Sequence, residues 1–106
     1  MSRGDVCWLE LSEEGRRPVC VLTRHEAIPV LRNVLVALIT RTVREIPTEV
    51  RLTPDDGMAV ECAISLDNVR TVPRALLTER ITPLSGRKMH EVCRALAAAT
   101  GCDRGR

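Results

Sequence analysis

The chain has 106 residues, is 44% hydrophobic, and carries Trp8 as its sole aromatic side chain. With neither Phe nor Tyr, it cannot stack successive bases on aromatic rings, nor build an aromatic cage for methylated amines. Its 16 basic and 14 acidic residues are spread evenly, 7 of each in residues 1–50 and then 9 against 7, so there is no basic arm to hold nucleic acid non-specifically.

In chain order, Asp5 to Leu11 is an extended run closed by the polar turn Ser12-Glu13-Glu14-Gly15. Pro18 to Thr23 and Val34 to Thr40 hold continuous apolar stretches, the pattern of strands covered on both faces. Thr48 to Leu52 alternates strictly, and Thr53-Pro54-Asp55-Asp56-Gly57 reads as a turn. Cys62 to Leu66 and Val69 to Val72 are two further strands around a polar connection, and Pro73 stops the second. A helical turn near Arg74 to Leu77 precedes a brief strand at Arg80 to Thr82. The period then changes. Ser85 can cap a helix whose Met89, Val92, Cys93 and Leu96 share one face, and Gly101 can stop it. The expected fold is mainly β (α+β): a small, strongly bent antiparallel sheet or barrel with a C-terminal helix at about 85–100. It makes one domain over 1–106, with 103–106 as a disordered tail.

Five cysteines, at 7, 20, 62, 93 and 102, include no C-x-x-C pair, and neither His25 nor His90 lies at ligand spacing from one, which disfavours zinc. Cys7, Cys20 and Cys93 fall among apolar residues, as small buried hydrophobes do in a reducing cytosol. The N-terminus lacks an apolar signal core and the longest apolar run, Val34 to Ile39, is too short to span a membrane, so a soluble cytoplasmic protein is expected.

Three places can carry chemistry. Arg16-Arg17 precedes Pro18 at the mouth of a buried strand, where a guanidinium is held on a rigid element. Thr40 ends the next apolar strand, followed by Arg41, Thr42 and Arg44; its hydroxyl could meet a phosphate oxygen or satisfy a turn. Asp67-Asn68-Val69-Arg70-Thr71 holds groups able to read base edges, in a run that also suits a hairpin connection. Lys88 is the only lysine. The resulting arginine bias suits phosphate and guanine edges, though composition alone is better explained by a GC-rich coding sequence. Glycine-rich phosphate loops and nucleophile elbows are absent, and His25 and His90 read as surface residues.

The order of these segments resembles the MazF/PemK toxins of bacterial toxin–antitoxin modules, from about Arg3 to Cys102. Arg3-Gly4-Asp5-Val6-Cys7-Trp8 is similar to that family's first strand, Arg16-Arg17-Pro18-Val19 to its Arg-Pro-Val signature, and Ala37-Leu38-Ile39-Thr40 to the strand ending in Thr. Pro47-Thr48-Glu49-Val50, Asp67-Asn68-Val69-Arg70-Thr71 and Leu84-Ser85 follow in the family's order. The resemblance implies an SH3-like, CcdB-like barrel, homodimeric, that cleaves single-stranded RNA at short sequences with no metal or cofactor, and is inhibited by a MazE-like antitoxin. It places catalysis on Arg17 and Thr40. For RNA binding it offers Arg16, Arg41, Asn68 and Arg70, with Glu14 in place of the acidic residue of a longer family loop.

The chain departs from the family pattern in that shortened loop, in Asn68 where Gln is usual, and in Glu61-Cys62 where Asp-Ser is common. The alternative from another class is a CcdB-like toxin that binds a topoisomerase and cuts nothing. A third is an inactive relative kept as a binding partner.

Overall fold

The computed structural model describes residues 1–104. Six strands are laid down in chain order: β1 (Asp5–Leu11), β2 (Gly15–Val21), β3 (Asn33–Thr40), β4 (Glu49–Leu52), β5 (Cys62–Pro73) and β6 (Leu77–Pro83). They form one antiparallel sheet in the order β4-β5-β3-β2-β1-β6, curled into a half-barrel. A C-terminal helix, α1 (Gly86–Thr100), follows.

The continuous apolar runs bury both faces of the sheet, as their composition requires. On one face Val6, Cys20, Ala37, Ile39, Leu52 and Ile64 pack with Val92 and Ala95 of α1. On the other, Cys7, Leu9, Val19, Val21, Val36 and Leu38 meet Ile28, Val72 and Leu77. The helix begins and ends where the sequence indicates: Ser85 Oγ accepts the Lys88 N–H at 3.1 Å, and Gly101 closes it at φ 77°. Cys93 departs from expectation. Ala95 takes its place in the core, while Cys93 lies exposed at the edge of the apolar stripe, its Sγ 3.1 Å from the Arg3 guanidinium. Conversely, Cys62 is buried.

The expected pair of strands at 62–66 and 69–72 is one strand of 12 residues. Its register against β3 jumps from Ala37↔Val69 to Leu38↔Ser65, leaving Leu66, Asp67 and Asn68 as a bulge. The bulge satisfies its own polar groups. The Leu66 N–H donates to the Thr48 carbonyl, Asp67 accepts the Thr48 hydroxyl, and Asn68 Nδ2 donates to Ser65 Oγ at 2.8 Å, so the strand kinks without reversing. β6 is also longer than the expected 80–82. Of the expected tail at 103–106, residues 103 and 104 belong to a 3-10 turn, Cys102–Arg104, and 105–106 lie outside the described residues. Among the described residues no helix is long and apolar enough to cross a membrane.

Candidate active site

β2 starts at Gly15, three residues before the expected Pro18, so Arg16 and Arg17 lie within the strand and Pro18 sits mid-strand, paired with Trp8 of β1. That position has a structural consequence. The Leu22 N–H donates to the Leu35 carbonyl, so by alternation the backbone of residues 20 and 18 also points toward β3. Proline has no N–H to give. The β2–β3 ladder ends at Val19↔Leu38, and the two strands part at the end that carries Arg17 and Thr40. Carried two residues further, the same register puts Arg17 opposite Thr40 on one face of the sheet.

A cleft of about 540 Å³ opens at this end. Arg16, Arg17, Thr40 and Arg41 line it, together with Trp8, Pro18, Ile39, Ile81, Cys62 and the apolar loop Met58-Ala59-Val60. Arg17 and Thr40 are half-buried, Arg16 and Arg41 exposed. The Arg16 guanidinium lies over the Trp8 ring, 4.2 Å from its centroid. Thr40 Oγ1 accepts the Thr42 N–H at 3.1 Å, which leaves its own O–H to donate elsewhere.

No carboxylate lines the cleft, and among the described residues Arg16, Arg17 and Arg41 take part in no ion pair. Three arginines thus line one concave, partly apolar site, Arg16 from the Trp8 face and Arg17 from the Thr40 face, and none is paired with a carboxylate. The arrangement favours an anion, and a planar, delocalised donor fork matches the oxygens of a phosphate or a carboxylate. Burial pushes the Cys62 thiol above its ordinary value, with Asp56 adding to the rise, so it stays protonated at neutral pH and is a poor nucleophile. Among the described residues no three His, Cys, Asp or Glu side chains converge as a metal site.

The other three candidates stand elsewhere. Glu14 is exposed in the β1–β2 turn, Asn68 lies on the β5 bulge, and Arg70 is exposed on β5 opposite Val36. His25 and His90 are exposed. Met58-Ala59-Val60 was not foreseen, although three consecutive apolar residues just after a turn are a sign of a lined surface. A second hollow, of about 450 Å³ between β4 and α1, contains none of the candidates.

Residues 2–100 match the family model for PemK-like, MazF-like toxins of type II toxin–antitoxin systems. The chain belongs to the MazF/PemK toxin family. Among MazF relatives, the probable endoribonuclease MazF5 of Mycobacterium tuberculosis is 44% identical over 104 residues, covering 97% of this chain and 95% of the relative. The solved M. tuberculosis toxin MazF-mt6 superposes with a TM-score of 0.84 at 33% identity, covering 92% of this chain and 96% of that one. A solved mycobacterial endoribonuclease in complex with its cognate antitoxin gives a TM-score of 0.84 at 26% identity, covering 95% of both chains. These MazF neighbours share the curled sheet and C-terminal helix.

Proposed function

We propose that this chain is a sequence-specific, metal-independent endoribonuclease, the toxin of a type II pair, and that the cleft at the open end of β2 and β3 is its active site. The observation that carries the reading is that Arg16, Arg17, Thr40 and Arg41 line one cleft that no carboxylate residue lines. Family membership and the endoribonuclease relatives support it over the CcdB-like alternative.

In this reading the ribose 2′-oxygen attacks the adjacent phosphorus. The P–O5′ bond breaks, leaving a 2′,3′-cyclic phosphate, while the 2′-OH proton is lost and the departing 5′-oxygen gains one. Charge builds on the non-bridging oxygens of the phosphorane. Arg17 stabilises that charge, and Thr40 donates a hydrogen bond to one of the same oxygens. A guanidinium exchanges protons poorly at neutral pH, so charge stabilisation is the role its chemistry supports best. Arg16 and Arg41 hold flanking phosphates. Because the nucleophile is the 2′-OH, DNA is not a substrate.

The reading extends to partners. A cationic cleft attracts an acidic, flexible antitoxin segment as well as RNA, so the antitoxin inhibits by occupying the same site. A homodimer would cover the apolar surface around Val30 and Leu31, beside Leu76, on segments joined by the 2.6 Å bond from Arg74 to the Ile28 carbonyl. Asn68 and Arg70 then contact RNA beyond the cleft. Five free cysteines suit a reducing, cytoplasmic setting.

The test is cleavage of mixed-sequence RNA in EDTA beside a gyrase supercoiling assay. Metal-free cutting with 5′-OH products is expected, and Arg17→Ala should lower the rate about 100-fold or more with the thermal midpoint unchanged. Intact RNA together with inhibited supercoiling would move the protein to the CcdB-like class. Antitoxin binding with neither activity would make it an inactive relative.

A further inference from the structure

We propose that Glu49 is a positioning residue for Thr40, acting through Arg44 and Thr42; this rests on the nuclease reading above. Glu49 opens β4, at the far end of the loop that leaves Thr40, and its side chain is only 3% exposed. Both of its carboxylate oxygens hold Arg44. Oε1 accepts the Arg44 backbone N–H at 3.0 Å, and Oε2 accepts the guanidinium at 2.9 Å. The same guanidinium nitrogen also donates to the Thr42 carbonyl at 3.4 Å, and the Thr42 N–H donates to Thr40 Oγ1 at 3.1 Å. One continuous polar chain therefore runs from a nearly buried carboxylate to the hydroxyl assigned to the phosphate.

Two features give this chain its direction. The Arg44 side chain is 52% exposed and would otherwise sample many rotamers, so the buried carboxylate is what fixes it. Glu45, the next residue, sits at φ 53°, a left-handed conformation that a non-glycine residue adopts only when its surroundings impose it. The double grip on Arg44 supplies that constraint. At the other end, the Thr42 N–H occupies an acceptor site on the Thr40 hydroxyl. The hydroxyl's own O–H stays free to donate and is made a better donor by that contact. Loss of the Glu49 grip should leave Thr40 present but poorly aimed, which lowers turnover more than binding.

The alternative is that Glu49 merely fastens the start of β4. A double-mutant cycle separates the two. Glu49→Gln keeps the volume and one acceptor but loses the charged partner of Arg44. It is compared in the Thr40 and Thr40→Ala backgrounds under single-turnover conditions, on an RNA that the unmodified protein cuts. The cleavage rate should fall about tenfold in the Thr40 background and less than about twofold in the Thr40→Ala background, with KM little changed. Amide exchange at Thr42 should quicken in Glu49→Gln. Equal losses in both backgrounds, a loss confined to KM, or unchanged Thr42 exchange would overturn the proposal. If Glu49→Gln does not fold, Arg44→Met enters the same cycle, because it keeps the aliphatic stem and removes the guanidinium contacts to both Glu49 and the Thr42 carbonyl. Full cutting by Thr40→Ala would remove the residue being positioned and defeat the proposal while leaving the nuclease reading intact. No cutting by the unmodified protein would defeat the nuclease reading itself.

Discussion

Arg16 lies over Trp8, its guanidinium carbon 4.2 Å from the ring centroid. The ladder explains the contact. Trp8 faces Pro18 and Glu10 faces Arg16, so the stacked pair are diagonal neighbours on one side of the β1–β2 ladder. The ring shields one face of the guanidinium from water and keeps the cation beside the cleft rather than in solvent. Because Trp8 is the chain's only aromatic residue, intrinsic fluorescence reports on this site alone. Saturating the protein with an RNA lacking the scissile 2′-OH should change Trp8 emission, and Arg16→Ala should weaken that binding by about 1 kcal/mol, roughly fivefold. Unaltered emission at saturation would place the RNA elsewhere.

Pro18 gives a second, less obvious prediction. Its missing N–H ends the β2–β3 ladder at Val19↔Leu38 and lets Arg17 and Thr40 stand apart. Pro18→Ala restores a donor aimed at β3. The ladder can then extend toward Ile39 and narrow the cleft, so activity should fall while stability holds or rises. Hydrogen exchange supplies the check: the new amide at residue 18 should be protected. A fast-exchanging amide with undiminished cleavage would show that the proline does not hold the cleft open.

Much of this was legible in the chain. The burial of both faces of β2 and β3 follows from Val19-Cys20-Val21-Leu22 and Val34 to Ile39, because a run with no polar alternation can only lie between two layers. The helix ends were legible because Ser85 and Gly101 are capping residues with local effects. The β5 bulge was not, since Asp67-Asn68 has turn composition, and its straight-through course depends on Thr48 and Ser65, partners that only tertiary structure brings near. The same limit applies to the cleft. Arg16, Arg17, Thr40 and Arg41 could be picked by residue type and strand position, but Trp8 and the Met58-Ala59-Val60 wall join them through sheet curvature, which no local pattern encodes.

Among the described residues, Gly57 is the least replaceable glycine. It ends the Pro54–Asp56 turn at φ 98°, and a Cβ there would strike Thr82 Oγ1 and come within 2.7 Å of Thr82 Cβ. Thr82 cannot easily yield, because its hydroxyl donates to the Asp56 carbonyl at 3.1 Å and its backbone pairs with Val6. Gly57→Ala therefore combines left-handed strain with a clash and should cost about 2–4 kcal/mol in denaturant unfolding. Gly86 is the internal control. A Cβ there meets nothing within 4 Å, and the residue opens α1, so Gly86→Ala should be neutral or slightly stabilising. Equal losses at the two sites would refute the packing argument.

The thiols divide by environment, and their pH response follows. Cys7, Cys20 and Cys62 are buried, while Cys93 and Cys102 are exposed, so a thiol reagent should modify two groups in the native protein and all five after unfolding. Burial is the main cause that raises all three buried thiols, Cys20 to about 12 from an ordinary value of 9.0. Well below pH 9 these groups are protonated in both folded and unfolded chains, so they leave stability independent of pH. Above it the unfolded chain ionises while the folded core resists, and the unfolded state gains until Cys20 itself ionises near 12. The thiols should therefore leave stability unchanged up to about pH 8 and lower it from there toward about pH 12, and Cys20→Ala should make the decline shallower. The chain suits this measurement, since it has no tyrosine and a single lysine to titrate in the same range. A decline of unchanged steepness in Cys20→Ala would assign the alkaline sensitivity to other groups.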